Sequence, residues 1–175
     1  METKHKADAI RVVLASASPR RRDLLRQIGL DPEIIPSEVD ENTLAERPDE
    51  MVMELSRRKA SDVAERLRRE QAASGRGEGL CNTVVIGADT VVSAGGRILG
   101  KPHDRGEAFC MLKSLQGNCH AVYTGVTVIY GKTVKTFAEE TRVRAYPMTD
   151  EEINGYIDCG ESMDKAGAYG IQDGY

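Results

Sequence analysis

The chain has no tryptophan and only two phenylalanines in 175 residues. Binding of single-stranded nucleic acid leans on aromatic stacking platforms, and duplex binding leans on a basic face. With so few stacking rings and a formal net charge of −4, the sequence argues against a nucleic-acid-binding module. Long apolar runs are missing too: Val84-Val85-Ile86 and Val126-Thr127-Val128-Ile129 fall far short of the roughly 20 residues that span a bilayer. The opening Met1-Glu2-Thr3-Lys4-His5 has no apolar core, so no secretory signal and no membrane partner are expected. Cys81, Cys110, Cys119 and Cys159 form no C-x-x-C pair, which removes the usual zinc and redox spacings and leaves buried or partly buried free thiols in a reducing cytoplasm as the expectation. His5, His103 and His120 show no metal-ligand spacing, and neither the G-x-x-x-x-G-K-[ST] loop nor the G-x-G-x-x-G fingerprint occurs.

Apolar residues make up 40% of the chain and charged residues 30%, a globular balance long enough for one domain over residues 1–175 with a core of its own. The pattern predicts a strand over Ile10 to Leu14, then a helix for which Ser18 is a natural N-cap, Pro19 suits the first position and Gly29 is the stop. Val52, Leu55, Ser56, Ala60, Val63 and Leu67 fall on one face of a second helix, from about Asp49 to Arg69. Gln71 to Gly79 reads as a loop. Thr83 to Val92 is the strongest strand, and its apolar start predicts burial on both faces. Gly95-Gly96 turns it into Arg97-Ile98-Leu99. Asp104 with Glu107 caps a helix whose buried stripe is Ala108, Met111, Leu112 and Leu115. A hairpin follows, Ala121 to Tyr130 and Thr133 to Tyr146, then a short helix capped by Thr149 and Glu152, then an irregular glycine-rich tail from Asp158. Strands, helices and hairpins in this order predict an α/β fold with a mixed sheet.

Two segments carry unusual chemistry. Ser16-Ala17-Ser18-Pro19-Arg20-Arg21-Arg22 gathers hydroxyls, free N–H groups and guanidinium groups at a helix N-terminus, an arrangement suited to anions. It reads as well as an ordinary capped helix with solvated arginines, except that cations at this end of the helix dipole are unfavourable unless an anion visits. Asp89 interrupts Val84-Val85-Ile86-Gly87-Ala88-Asp89-Thr90-Val91-Val92, where an unpaired carboxylate is costly and a metal or a cation must compensate it. Glu38, Asp40 and Glu41 supply further oxygen donors of the kind hard divalent cations take, or form a solvated acidic loop. Lys59, at the edge of the second helix's apolar face, and Lys101, in Gly100-Lys101-Pro102, are cations with phosphate reach or plain surface lysines.

Taken together, Leu14-Ala15-Ser16-Ala17-Ser18-Pro19-Arg20-Arg21, Lys59-Ala60, Gly87-Ala88-Asp89-Thr90-Val91-Val92, Gly100-Lys101-Pro102 and Asp164-Lys165-Ala166-Gly167-Ala168-Tyr169-Gly170-Ile171-Gln172 resemble the Maf (septum formation) family of nucleoside triphosphate pyrophosphatases. The resemblance runs through nearly the whole chain in order. It implies an elongated mixed sheet flanked by helices in a two-lobed fold like that of inosine triphosphate pyrophosphatases, often as a homodimer. It also implies a cytoplasmic enzyme that cleaves a nucleoside triphosphate to the monophosphate and pyrophosphate with Mg²⁺ or Mn²⁺, in nucleotide-pool cleansing or cell-division arrest. The final motif is similar to the branch acting on dTTP and UTP. By that match Asp89 is the proton acceptor, Arg20, Thr90 and Gln172 tune base specificity, Ser16, Arg21, Lys59 and Lys101 contact phosphate, and Asp89 with Glu41 holds the metal; Glu38 and Asp40 lie close enough in sequence to compete with Glu41 for that role. The family continues past the position of Gln172 into a final strand that this sequence does not carry. The competing expectations are a pyrophosphatase for 7-methyl-GTP or another modified nucleotide, and a nucleotide sensor that regulates division without hydrolysis.

Overall fold

A computed structural model describes residues 10–75, 80, 82–160 and 162–171. The order of elements is β1 (Arg11–Leu14), α1 (Pro19–Gln27), β2 (Glu33–Ile34), α2 (Pro48–Ala73), β3 (Thr83–Ala94), β4 (Arg97–Leu99), α3 (Arg105–Leu115), β5 (Cys119–Tyr130), β6 (Thr133–Arg144) and α4 (Asp150–Asp158), followed by a 3-10 turn at Ala166–Ala168. The sheet runs β2-β1-β3-β5-β6, with β4 paired to β3 off this path. β1 is parallel to both β2 and β3, in register Arg11↔Thr83 through Leu14↔Ile86 on the β3 side. β3 and β4 are antiparallel across Gly95-Gly96, whose φ values of 56° and 75° suit a tight primed turn. The sheet is therefore mixed and helix-flanked, as the sequence pattern predicts.

The chain divides into two compact units. The first comprises Met1–Leu44, Met53–Asp89 and Gly125–Phe137, and the second Ala45–Val52, Thr90–Thr124 and Ala138–Tyr175. β3, β5 and β6 each contribute one stretch to either unit. The first unit's core is Val13, Ala15, Ala60, Val63, Ala64, Leu67, Leu80, Val85 and Ile129. The residues predicted for the apolar face of α2 are all buried, so its 3.6-residue period is a faithful record of what it packs against. The second unit's core joins the predicted stripe of α3 to Val92, Leu99, Ile153, Tyr156, Ile157 and Ala168.

Some expectations fail for local reasons. α2 continues to Ala73, because Glu70, Gln71 and the two alanines are good helix formers, so the expected loop begins later. In α1 no residue is buried, and Leu24 and Ile28 face outward. Ser18 occupies the N-cap of α1, but its side chain makes no cap bond. Asp104 caps α3 as expected, accepting from the Glu107 N–H at 2.8 Å, but Glu107 returns its bond to the His103 N–H at 2.7 Å instead of that of Asp104, so only half of the box forms. Cys110, Cys119 and Cys159 are exposed free thiols, not buried ones. Cys110 lies off the buried face of α3, Cys119 opens β5 and Cys159 caps α4, all positions turned away from the cores. Cys81 and residues 76–79 lie outside the described residues.

Candidate active site

The first unit brings six of the expected site residues together, and the reason begins at Gly87. A Cβ there would lie 2.4 Å from the Ser56 carbonyl oxygen, 2.7 Å from the Ala60 nitrogen and 2.9 Å from the Ala60 Cβ. Only glycine permits the α2 backbone to approach β3 this closely. Ser56 also ties α2 to β5, with its buried hydroxyl 3.0 Å from that of Thr127. Lys59, one residue before Ala60, is consequently carried against the strand that bears Asp89. Its ammonium donates to Asp89 Oδ1 at 2.6 Å and pairs with Glu41 Oε1 at 2.7 Å.

Asp89 is buried, at 7% exposure, and so is Lys59, at 8%. Burial pushes the Asp89 carboxyl above its ordinary pKa; the Lys59 charge and hydrogen bond, then the Arg21 charge, pull it back only in part, and Glu41 adds to the rise. Arg21 lies near enough to both carboxylates to feel them, yet its pKa is lowered overall, chiefly because its guanidinium is stripped of water. Ser16 orients it: the Ser16 hydroxyl accepts from Arg21 Nη1 at 3.0 Å and from the Ser18 N–H at 3.3 Å. Ser16 is itself buried two residues past the end of β1, after Ala15, whose N–H still donates to the Ile86 carbonyl. Arg20 is half-buried beside Arg21 and raises the positive charge there.

The three acids of the Glu38 to Glu41 stretch separate clearly in space. Glu38 pairs with Arg66 at 3.6 Å with its side chain largely exposed. Asp40 turns back on its own loop, accepting from Asn42 N at 2.9 Å and Asn42 Nδ2 at 3.0 Å. Glu41 alone of the three shares the Lys59 ammonium with Asp89. Among the described residues no group of three or more His, Cys, Asp or Glu side chains is placed to hold a metal. Two carboxylates converging on one point of positive charge nevertheless suit a hard divalent cation that takes its remaining ligands from water and substrate phosphates.

In the second unit Thr90 is half-buried, its hydroxyl 3.2 Å from that of Thr124. Lys101 is exposed just after β4. Gln172 lies outside the described residues. The turn that precedes it is firmly tied: Gly167, at φ 68°, donates its N–H to the Gly100 carbonyl at 2.9 Å and packs so close to Val92 that a Cβ would meet that side chain at 2.9 Å. Tyr169 OH lies 2.6 Å from His120 Nε2, and Gly170 N–H donates to Tyr156 OH at 3.0 Å. Sequence reasoning set His120 aside, because a histidine that bonds a tyrosine 49 residues away leaves no local spacing to detect.

The model of the Maf-like protein family matches residues 11–175. A dTTP/UTP pyrophosphatase of Thermoanaerobacter sp. (strain X514) is 49% identical over 165 residues, covering 93% of this chain and 80% of the relative. The dTTP/UTP pyrophosphatase of Carboxydothermus hydrogenoformans is also 49% identical over 165 residues, covering 93% and 82%. That of Bacillus anthracis is 44% identical over 163 residues, covering 93% and 78%. Among solved structures, an S-adenosylmethionine-dependent methyltransferase from Clostridium acetobutylicum aligns at 16% identity and a TM-score of 0.18, over 86% of this chain and 63% of its own, too low to bear on fold or activity. No helix among the described residues is long and apolar enough to cross a membrane. With the family model matching residues 11–175 of the chain, and relatives this similar across most of their own length, the chain belongs to the Maf-like protein family.

Proposed function

We propose that this chain is a nucleoside triphosphate pyrophosphatase that hydrolyses dTTP and UTP to the monophosphate and pyrophosphate. The observation that carries the reading is the buried Asp89, held by Lys59 and flanked by Arg21, in a chain 49% identical to a relative named for that activity. Water attacks the α-phosphorus in line with the departing pyrophosphate, and Asp89 takes its proton. A carboxyl raised above its ordinary pKa suits this role, since a general base works best when poised nearer the operating pH. Arg21, oriented by Ser16, together with Lys59 and Lys101, neutralises charge on the bridging and terminal oxygens. Arg20, Thr90 and Gln172 read the pyrimidine base. Asp89 and Glu41 are the side chains that would hold a Mg²⁺ or Mn²⁺ ion. When bound, such an ion would lower the pKa of its water and offset phosphate charge. The protein works in the cytoplasm as one domain over residues 1–175, as a homodimer, in cleansing the nucleotide pool or restraining division.

The decisive experiment is a panel of dTTP, UTP, CTP and 7-methyl-GTP incubated with the protein and Mg²⁺, with monophosphate and pyrophosphate quantified. Asp89→Asn should still bind nucleotide while losing roughly 10²- to 10⁴-fold in turnover. Undiminished pyrophosphate release from that variant overturns the role of Asp89. Binding without turnover by the unaltered protein would favour the sensor.

A further inference from the structure

Both carboxylates assigned to a divalent cation are engaged by one and the same atom. Lys59 Nζ lies 2.7 Å from Glu41 Oε1 and 2.6 Å from Asp89 Oδ1. A lysine ordinarily buries its stem and keeps its head in water. Here the side chain is only 10% exposed, and its anchor point is fixed by the tight passage of α2 over Gly87. Arg21 adds its charge to that of Lys59 beside Asp89 and Glu41. An ammonium offers three donors and gathers carboxylate oxygens as a hard cation does. Lys59 takes one oxygen of each carboxylate, and a divalent ion drawn to the same pair would be repelled by the like charge of an ammonium held this close. The buried Lys59 and an incoming metal are therefore rivals for the same two ligands.

Resting on the metal-dependent reading above, we propose that Lys59 is a built-in counter-cation that keeps Glu41 and Asp89 convergent and releases them to a divalent ion only when nucleotide phosphates arrive to receive its ammonium. The two ligands are then coupled. Metal alone must displace a buried ammonium from its two carboxylates without supplying it a new anion, whereas metal with a triphosphate supplies one. Linkage makes the effect reciprocal, so nucleotide tightens metal and metal tightens nucleotide by the same factor. The flexible four-carbon stem of lysine allows the transfer, while the rigid planar fork of arginine would not.

The test is titration with Mn²⁺ alone, followed by water-proton relaxation and calorimetry, in the unaltered protein and in Lys59→Gln and Lys59→Met. Both variants should bind Mn²⁺ at least about tenfold tighter than the unaltered protein in the absence of nucleotide, the loss of one repelling charge. A non-hydrolysable dTTP analogue should strengthen Mn²⁺ binding to the unaltered protein by a larger factor than in either variant. Equal or weaker Mn²⁺ binding by the folded variants overturns the inference. A readout on the unaltered chain guards against misfolded variants: the side-chain NMR resonances of Lys59 should move when Mg²⁺ and the analogue are added together and move far less with Mg²⁺ alone, and equal shifts in the two cases also overturn it. Turnover that persists in chelator overturns the metal reading and this inference together. Turnover that needs metal, with unchanged Mn²⁺ affinity in the Lys59 variants, overturns this inference alone.

Discussion

Asp89 is a carboxyl whose surroundings disagree about its charge. Burial favours the neutral form and Lys59 and Arg21 favour the anion, and burial prevails. The folded chain thus holds this proton more tightly than the unfolded one. The associated stability is fully present below the unfolded pKa and is lost as pH rises through the raised folded value. In chelator, the urea stability of the unaltered protein relative to Asp89→Asn should therefore decline as pH climbs above about 4, the unfolded value, through the raised folded one. A difference that grows over that range would contradict the assignment. Asp89 was legible in the sequence, because a lone acid in an apolar strand calls for a partner. Its partner was not, since Lys59 lies 30 residues away, and neither was the fact that Glu41, not Glu38 or Asp40, reaches that ammonium. Such pairings are through-space facts that no local spacing encodes. The exposed cysteines misled for a related reason: thiols are buried on average, but helix and strand faces decide each case.

At the scale of elements, α2 and β3 work as one device. The passage over Gly87 sets how far Lys59 reaches, so Gly87→Ala should drive α2 away from the strand. We expect a loss of about 1 to 3 kcal/mol from overpacking, read from urea midpoints, together with a fall in pyrophosphate release larger than that stability loss explains. Unaltered turnover at full folding would show that the helix position is not what delivers Lys59. α4 offers a contrasting case, remote in sequence from the acidic site. Thr149 Oγ1 accepts from Glu152 N at 3.2 Å and Glu152 Oε2 accepts from Thr149 N at 2.7 Å, a complete capping box. Thr149→Ala should lower stability by about 1 kcal/mol with an unchanged urea slope and unchanged turnover per folded molecule. Both ends of that helix, like the face of α2, were readable from the chain because capping and periodicity are local physics. The outward-facing Leu24 of α1 and Ile28 at its C-cap were not: spacing announces a helix without saying whether anything will cover it.

For the whole molecule, the net charge of −4 means that affinity for a polyanion depends on a few cations and not on the overall field. Binding to the folded state alone must also raise its stability. Metal with a non-hydrolysable dTTP analogue at a hundred times its dissociation constant should add about 2.7 kcal/mol, measured as a shift of the urea midpoint, and the shift should shrink in Arg21→Ala. No shift at saturating analogue would indicate that the site is not formed in the folded chain. The parallel register Arg11↔Thr83 has a further meaning when the chain is followed through synthesis. β1 emerges first, yet the strand that completes its pairing arrives only after α1, β2 and the whole of α2 have been made. Non-local parallel pairing is slow to form, and an open strand edge is where nascent chains stick to one another. The residues that follow this early strand, Ser16 to Arg21, therefore spend translation beside an unfinished edge, and slower delivery of β3 should raise the share of newly made protein that aggregates.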